Sequence, residues 1–326
     1  MILSNLFLST YANLTAYWWL PLAAVLLDRF IGDPPKLPHP VRAIGALLAH
    51  VEPRARRSSS SPFQTGLVAV MAVMAAAYAV TRVVLFIPLI GTLAAVYLGF
   101  AGLALGQLLR EGKNALALIE AGDIPAARKA VGYLVSRDVS RANAEELCRV
   151  LAETLSENLN DGFTAPLFWL ILGGPITLWL YKAASTMDST WGYTHEPWTH
   201  FGTPAARLDD ALAFIPARLT ALLLVCTGKA LGMPMPDVSF GAIRDDAKKM
   251  KSPNAGWPMA ACARILGAAM GGRAVYAGKA VDKPILGPAG NAWSTEKLHA
   301  LLRLLGFTGW TTLAALWGCG LLLSFA

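Results

Sequence analysis

The sequence predicts an all-α, polytopic membrane protein, and its composition carries that prediction. Of its 326 residues, 55% are hydrophobic and only 15% are charged, whereas a typical soluble domain is about one quarter charged. The mean hydropathy is +0.47. The chain also contains ten Trp, a residue that favours the boundary between membrane and water. We therefore expect the whole chain, 1–326, to form one integral domain in contact with the lipid bilayer.

The charge balance fits the same class of protein. The formal net charge is +7, which in a soluble protein would suggest a nucleic-acid partner. A membrane protein carries basic cytoplasmic loops in any case, so no nucleic-acid partner is predicted. The basic excess also suits a polyanionic ligand such as a nucleotide or a phosphate ester. The four cysteines are scattered and form no C-x-x-C pair, so neither a zinc site nor a disulfide framework is indicated.

Apolar runs predict about four full spans and two interrupted segments. The full spans are expected near 14–31, 67–86, 88–108 and 304–326. Residues 163–181 are long enough to cross the bilayer, but Gly173–Gly174–Pro175 interrupts them. Residues 211–232 contain Pro216 and Arg218, and a cation is costly if it faces lipid. These two segments are predicted to be re-entrant hairpins, and six simple spans are the alternative.

Most of the Lys and Arg residues lie in three polar stretches, 32–66, 109–162 and 233–303. Basic loops stay on the cytoplasmic side, so these stretches are predicted to be helical cytoplasmic loops. Re-entrant hairpins would bring 153–162 and 182–190 to the same side of the membrane.

A first polar cluster follows the first predicted span. Asp28, Gly32, Asp33 and His39 lie there in a segment rich in proline. Prolines fix φ and make a stiff loop, which suits a preorganised site. The alternative is that each acid only marks a helix boundary.

A second cluster lies on a predicted helix. Glu146, Arg149, Glu153 and Glu157 share one face of it, and that stripe runs to Asp161 at the next membrane boundary. Neighbouring carboxylates repel unless a cation lies between them, and Mg²⁺ with phosphate oxygens would serve. The alternative is an ordinary solvated helix face.

Two further clusters contain cations suited to phosphate. Lys182 and Asp188 flank a hydroxyl-rich segment, although a Lys at the end of a span also reaches the interface without binding anything. Arg244 and Lys248 precede the rigid turn Ser252–Pro258. There is no P-loop motif, so any nucleotide would bind by another geometry.

These motifs together resemble the adenosylcobinamide-phosphate synthase family. The resemblance covers residues 16 to about 290 and is carried by Asp28-Arg29-x-x-Gly32-Asp33-Pro34, His39-Pro40-Val41, Ser156-Glu157-Asn158-x-x-Asp161-Gly162, Lys182-x-x-x-Thr186-x-Asp188-Ser189, Arg207-x-Asp209-Asp210, Pro216-Ala217-Arg218 and Ser252-Pro253-Asn254-Ala255-Gly256-Trp257-Pro258. Two positions depart from the family pattern: Ser136 stands where Gly is expected before Arg137-Asp138, and Met250-Lys251 stands where His-Pro is expected before Ser252.

The resemblance implies an ATP-dependent acid–amine ligase. Such an enzyme joins adenosylcobyric acid to (R)-1-amino-2-propanol O-phosphate, or to aminopropanol, and uses ATP with Mg²⁺. The implied catalytic residues are Glu153, Glu157, Asp161, Asp188, Asp28 and His39, of which the first four would hold Mg²⁺. The implied substrate and phosphate-binding residues are Asp33, Arg137, Asp138, Asn158, Lys182, Ser185, Arg218, Arg244, Asp245, Lys248, Ser252 and Asn254.

The resemblance also implies a place in the cell inner membrane, with the active site facing the cytoplasm. Two other functions remain as alternatives. One is a related membrane sensor without ligase activity, and the other is a small-solute transporter built on broken helices. A transporter should carry its main polar groups inside the spans, whereas here most lie at boundaries and in loops. Association with a second copy of the chain or with other corrinoid-pathway enzymes is left open.

Overall fold

The computed structural model describes residues 18–325, apart from 35–36, 58–59, 89, 193–198, 237 and 277. This part of the chain is mostly helical, as predicted. In chain order its elements are α1 (Leu20–Phe30), α2 (Pro40–Arg56), α3 (Pro62–Phe86), α4 (Ile90–Ala101), α5 (Leu105–Glu120), α6 (Ile124–Gly132), α7 (Ala144–Leu159), a π-helical turn (Asn160–Thr164), α8 (Ala165–Trp191), α9 (Thr203–Ala230), α10 (Phe240–Ala247), α11 (Gly256–Leu266), β1 (Met270–Tyr276), β2 (Lys279–Leu286) and α12 (Thr295–Phe325).

Five helical stretches within the described residues are long and apolar enough to cross a membrane. They are Pro62–Phe86, Ile90–Glu120, Ala144–Trp191, Thr203–Ala230 and Thr295–Leu321. Helices coincide with the predicted spans 67–86, 88–108 and 304–326, and the prediction of a polytopic helical protein is confirmed. Of the predicted span 14–31, residues 14–17 lie outside the described residues, and α1 covers much of the rest.

The predicted interruption of residues 163–181 is found at Gly173 and Gly174. Gly173 has φ −150° and ψ 22°, and Gly174 has φ 69° and ψ −161°, both outside the helical region. Gly174 supplies the positive φ that other residues avoid, and Pro175 follows it. The hydroxyl of Thr177 donates to the carbonyls of Trp169 (2.5 Å) and Gly174 (3.1 Å), so it satisfies acceptors that the break exposes.

The second predicted hairpin differs from what the structure has, because α9 continues through Pro216 without a reversal. Proline has no N–H to donate to the carbonyl of Leu212, four residues earlier. The indole N–H of Trp169 donates to that carbonyl instead, at 3.2 Å. A side chain from another helix therefore replaces the missing backbone hydrogen bond, and the helix need not break.

The chain divides into two compact units. The first is drawn from Met1–Ala104, Ala165–Ala213 and Leu313–Ala326. Within it, α1 packs on α4 and α3 packs on α8. Glycine allows the close contacts, because a Cβ at Gly99 would lie 3.3 Å from the Cβ of Ala24, and one at Gly102 would lie 2.6 Å from Leu178.

The second unit is drawn from Leu105–Thr164 and Phe214–Thr312. Its buried centre is α7, which packs against α5, α6, α11 and the strand β1. The antiparallel hairpin β1–β2 was not predicted, since the stretch 233–303 was expected to be helical. Its register pairs Arg273 with Asp282, and the strands are irregular between Met270 and Gly272.

Candidate functional site

The second unit contains a buried charge cluster centred on Glu153 of α7. The side chain of Glu153 is 1% exposed and forms ion pairs with Arg137 and, at 3.3 Å, with Arg149. The backbone N–H of Gly271 donates to the same carboxylate at 2.8 Å. Burial by itself would lower the pKa of Arg137, but the Glu153 carboxylate outweighs burial, and the pKa of Arg137 is raised. Glu153 therefore attaches the loop containing Arg137 and the first strand to α7.

Arg149 strengthens the same attachment. It donates to the carbonyl of Gly271 and, at 3.3 Å, to that of Arg273. It also lies 3.5 Å from Glu146, so the predicted common face of this helix is confirmed. The sequence predicted that a cation lies between the carboxylates of Glu153 and Glu157. In the structure arginines already neutralise Glu153, which leaves no need for Mg²⁺ at that residue.

Glu157 has a different environment, one turn further along α7. Its side chain is half-buried, and no hydrogen bond or ion pair reaches its carboxylate from the residues that the structure describes. It interacts electrostatically with Asp161, Lys283, Glu153 and Arg137. Glu157 is therefore the carboxylate of this cluster that a ligand could engage.

The π-helical turn after α7 positions Asp161. The side-chain N–H of Asn160 donates to the Asp161 carboxylate at 2.7 Å, and the hydroxyl of Thr220 donates to the side-chain amide oxygen (Oδ1) of Asn160 at 3.0 Å. Such turns within helices often occur at functional sites. Asn158, by contrast, is engaged by its own helix, because its amide donates to the carbonyl of Thr154 at 2.9 Å.

A second buried carboxylate, Asp246 of α10, holds the other end of the hairpin. It accepts hydrogen bonds from Lys249 at 2.5 Å, from Arg264 at 2.8 Å and from the N–H of Gly287 at 2.9 Å. Burial would raise the pKa of Asp246, but these hydrogen bonds outweigh it, and the pKa is lowered.

In α10 the sequence predicted binding residues next to Asp246 in the chain, but not Asp246 itself. Arg244, Asp245 and Lys248 are exposed, and Arg244 lies 3.4 Å from Asp245. The signal that was missed is the helical spacing of Ile243, Asp246 and Ala247, which places them on the buried face of α10.

Arg218 of α9 holds the turn Ser252–Pro258 in place through three contacts. Its guanidinium donates to the side chain of Asn254 at 3.0 Å and to the carbonyl of Pro253 at 3.2 Å. It also lies 4.9 Å from the ring centre of Trp257, a cation–π contact. The Ser252 hydroxyl accepts the N–H of Asn254 at 3.2 Å. The predicted binding residues Arg218, Ser252 and Asn254 are therefore hydrogen-bonded to one another.

In the first unit, His39 lies beside charged residues of the predicted site. Its Nδ1 accepts the N–H of Val41 at 3.2 Å and caps α2. Burial lowers the pKa of His39; Asp33 opposes this shift and Lys182 adds to it. The imidazole is therefore neutral at pH 7, with its proton on Nε2.

Lys182, Ser185 and Asp188 occupy the last turns of α8, three residues apart, so they lie along one side of that helix. All three are half-buried. The backbone carbonyl of Asp188 accepts the N–H of Gly192 at 2.7 Å. Asp28 of α1 is 1% exposed, whereas Asp33 is exposed. That the clusters of the first and second units converge on one site stays a prediction.

Within the described ranges, no three His, Cys, Asp or Glu side chains are grouped to hold a metal ion by themselves. Mg²⁺ is usually held by one or two carboxylates with substrate phosphates and water. Glu157 and Asp161 fit that smaller requirement, and Arg137 and Lys283 are the cations that would face phosphate.

Comparison with known proteins places the chain in a family. The family described as CobD/Cbib protein matches residues 21–305. The cobalamin biosynthesis protein CobD of Pelobacter propionicus is 37% identical over 287 residues, which cover 86% of this chain and 88% of the relative. Its counterpart from Geobacter metallireducens is 39% identical over 271 residues, covering 82% and 85% of the two chains. That from Clostridium perfringens is 34% identical over 287 residues, covering 86% and 91%. No solved structure matches this chain. The chain belongs to the CobD/Cbib protein family.

Proposed function

We propose that this protein is an ATP-dependent amide ligase of cobalamin biosynthesis. It would join a propionate of adenosylcobyric acid to the amine of (R)-1-amino-2-propanol O-phosphate, or of free aminopropanol, and release adenosylcobinamide phosphate or its unphosphorylated counterpart. Family membership supports the pathway, since relatives are named as cobalamin biosynthesis proteins. The observation that carries the chemistry is the half-buried Glu157 beside Asp161, with the cations Arg137 and Lys283 around it.

This mixture of charges suits an amine that carries a phosphate. The ammonium form of the amine is attracted to carboxylates, and the phosphate to guanidinium and ammonium groups. Glu157 and Asp161 would hold either the amine or Mg²⁺, and Arg137 and Lys283 would hold phosphate oxygens. ATP with Mg²⁺ supplies the free energy and the charge neutralisation that make a carboxylate reactive towards an amine.

The first unit would contribute a base and further phosphate contacts. An amine must lose its proton to act as a nucleophile, and His39 would take that proton on Nδ1 once this nitrogen releases the N–H of Val41. Lys182 and Asp188 would contact phosphate and Mg²⁺, and Asp28 and Asp33 would position the substrate. We further propose that the protein resides in the cell inner membrane with its active site facing the cytoplasm, where ATP is supplied.

The reaction is tested directly with protein purified in detergent. Adenosylcobyric acid, aminopropanol phosphate, ATP and Mg²⁺ are combined, and the product is followed by mass spectrometry. We expect a mass increase that corresponds to one amide condensation and requires ATP. A well-folded protein that yields no such product under any of these conditions would contradict the proposal.

The role of Glu157 is tested by Glu157→Gln. Loss of its charge should reduce turnover at least about a hundredfold, the scale of a lost catalytic group, while membrane insertion and thermal stability are retained. Glu145→Gln is the matched control, because Glu145 is an exposed residue in the first turn of the same helix. Turnover of Glu157→Gln equal to that of the control would remove Glu157 from the site.

A further inference from the structure

A cavity of about 500 Å³ that is widely open to solvent lies in the second unit, between α6 and the loop that leads to α7. One face of α6 lines it with Pro125, Arg128, Lys129 and Gly132, which recur at helical spacing. The loop contributes residues 137–140 on the opposite side. Its volume falls within the roughly 300–1,000 Å³ typical of small-molecule sites.

The lining of this cavity is predominantly cationic. Arg128, Lys129 and Arg137 are basic, and Asp138 is acidic. The carboxylate of Asp138 is already engaged, because it accepts the N–H of Ser140 at 2.8 Å. Arg137 is already paired with Glu153, so Arg128 and Lys129 are the two cations of the lining whose charge is available to a ligand.

Arg128 and Lys129 have donors that no described residue uses. The Nε of Arg128 donates to the carbonyl of Ala142 at 2.9 Å, which fixes the side chain. Its two terminal nitrogens make no hydrogen bond to the described part of the chain. Lys129 is exposed and forms no ion pair with any described residue. A guanidinium held at one nitrogen, with its fork unoccupied, is suited to two oxygens of one phosphate group.

Arg137 provides the second, independent observation. Its side chain is only 8% exposed, and one terminal nitrogen is paired with Glu153. Its other terminal nitrogen, Nη1, is buried without a hydrogen-bond partner among the described residues. Leaving a buried guanidinium donor unpaired is unfavourable, and because Arg137 lines the cavity, a small rotation of its side chain on binding would bring Nη1 to an anionic oxygen there.

We propose that this cavity binds the phosphate group of a soluble phosphorylated substrate, through Arg128, Lys129 and Arg137. The identity of that substrate rests on the proposed function, which offers ATP and the phosphorylated amino alcohol. Neither Arg128 nor Lys129 belongs to the motifs that carry the family resemblance. Arg137 is shared between this cavity and the Glu153–Glu157 cluster, so a bound phosphate would add its charge to that cluster.

The test is isothermal titration of detergent-purified protein with ATP, with aminopropanol phosphate and with inorganic phosphate. Lys129→Gln removes one charge without disturbing a described contact. Arg128→Lys keeps the charge but loses the two terminal guanidinium nitrogens that can bind two oxygens at once. For at least one phosphorylated ligand the Kd should rise about tenfold in Lys129→Gln, the loss expected for one charge-assisted hydrogen bond. Arg128→Lys should weaken the same ligand, and inorganic phosphate should compete with it.

The control is Lys113→Gln, which removes an exposed charge from the same unit outside the cavity. The ligand whose affinity falls identifies the source of the phosphate. Unchanged affinities for all three ligands in both cavity variants would overturn the proposal. The proposal would also be overturned if the two cavity variants differed from the wild type only in the amount of anionic lipid that co-purifies with the protein, measured by native mass spectrometry.

Binding is measured without turnover, so the two proposals can fail separately. If no amide product forms but phosphate binding depends on Lys129, the cavity is a phosphate site and the ligase proposal fails. If product forms and both cavity variants bind every ligand as the control does, the ligase proposal stands and the cavity is not a phosphate site.

Discussion

Replacing Glu153 by Gln should destabilise the protein rather than impair metal binding. Its carboxylate is 1% exposed, and its two arginine partners are 8% and 21% exposed. Removing one member of a buried ion pair costs about 3–5 kcal/mol, because the remaining charge is left uncompensated. The Gln side chain keeps an oxygen for one hydrogen bond, which returns about 1 kcal/mol. Screening of the more exposed Arg149 reduces the loss further.

The net destabilisation of Glu153→Gln is therefore about 3 kcal/mol. In detergent this should appear as a melting temperature several degrees below that of the control Glu145→Gln, at any Mg²⁺ concentration. The experiment is a thermal shift series with and without Mg²⁺, combined with the Mg²⁺ dependence of turnover at a temperature where both variants are folded. A variant that melts with the control but needs more Mg²⁺ for turnover would refute this reasoning and would restore Glu153 as a metal ligand.

Three further changes test other parts of the structure. Asp246→Asn should cost about 2–3 kcal/mol, again through an uncompensated buried charge. The pKa of Asp246 is lowered in the folded protein. Asp246 therefore stabilises the folded state fully at a pH above the pKa of about 3.9 that an Asp has in the unfolded chain, and this contribution is lost as the pH falls through the pKa of Asp246 in the folded protein. The fall in melting temperature below about pH 4 should therefore be smaller in Asp246→Asn than in the wild type. His39→Asn should lose turnover but keep the helix cap, so its melting temperature should match that of the wild type. His39→Ala should lose turnover and also about 1 kcal/mol of the free energy of unfolding, which would appear as a lower melting temperature. Gly256→Ala should cost about 1–3 kcal/mol in a denaturation assay, because the added Cβ would lie 2.6 Å from the carbonyl oxygen of Ala247; an unchanged midpoint would contradict this contact.

What the sequence predicted well depends on local periodicity. The common face of Glu146, Arg149 and Glu153 follows from helical spacing alone, and the structure confirms it through the two contacts of Arg149. The interruption at Gly173 and Gly174 follows from residue chemistry in the same way. Both features are set by neighbours within about one or two helical turns.

What the sequence did not predict depends on contacts between distant segments. Glu153 meets Gly271, 118 residues away, and no spacing rule connects them. Pro216 was expected to reverse the chain, but the helix continues because Trp169, 43 residues before Leu212, supplies the missing donor. The hairpin β1–β2 was missed because the whole stretch 233–303 was expected to be helical, although Val275, Tyr276 and Val281 are residues that favour strands.

The two buried carboxylates explain how an unpredicted hairpin comes to lie near Glu157. Glu153 accepts the N–H of Gly271 at the start of the hairpin, and Asp246 accepts that of Gly287 just after its end. Each carboxylate is also neutralised by two cations, so the hairpin is fixed to α7 at one end and to α10 and α11 at the other. Lys283 interacts with Glu157 because the hairpin is held in this way. If so, weakening the Asp246 end should change the affinity for a phosphorylated substrate through Lys283, without any change to Glu157 itself.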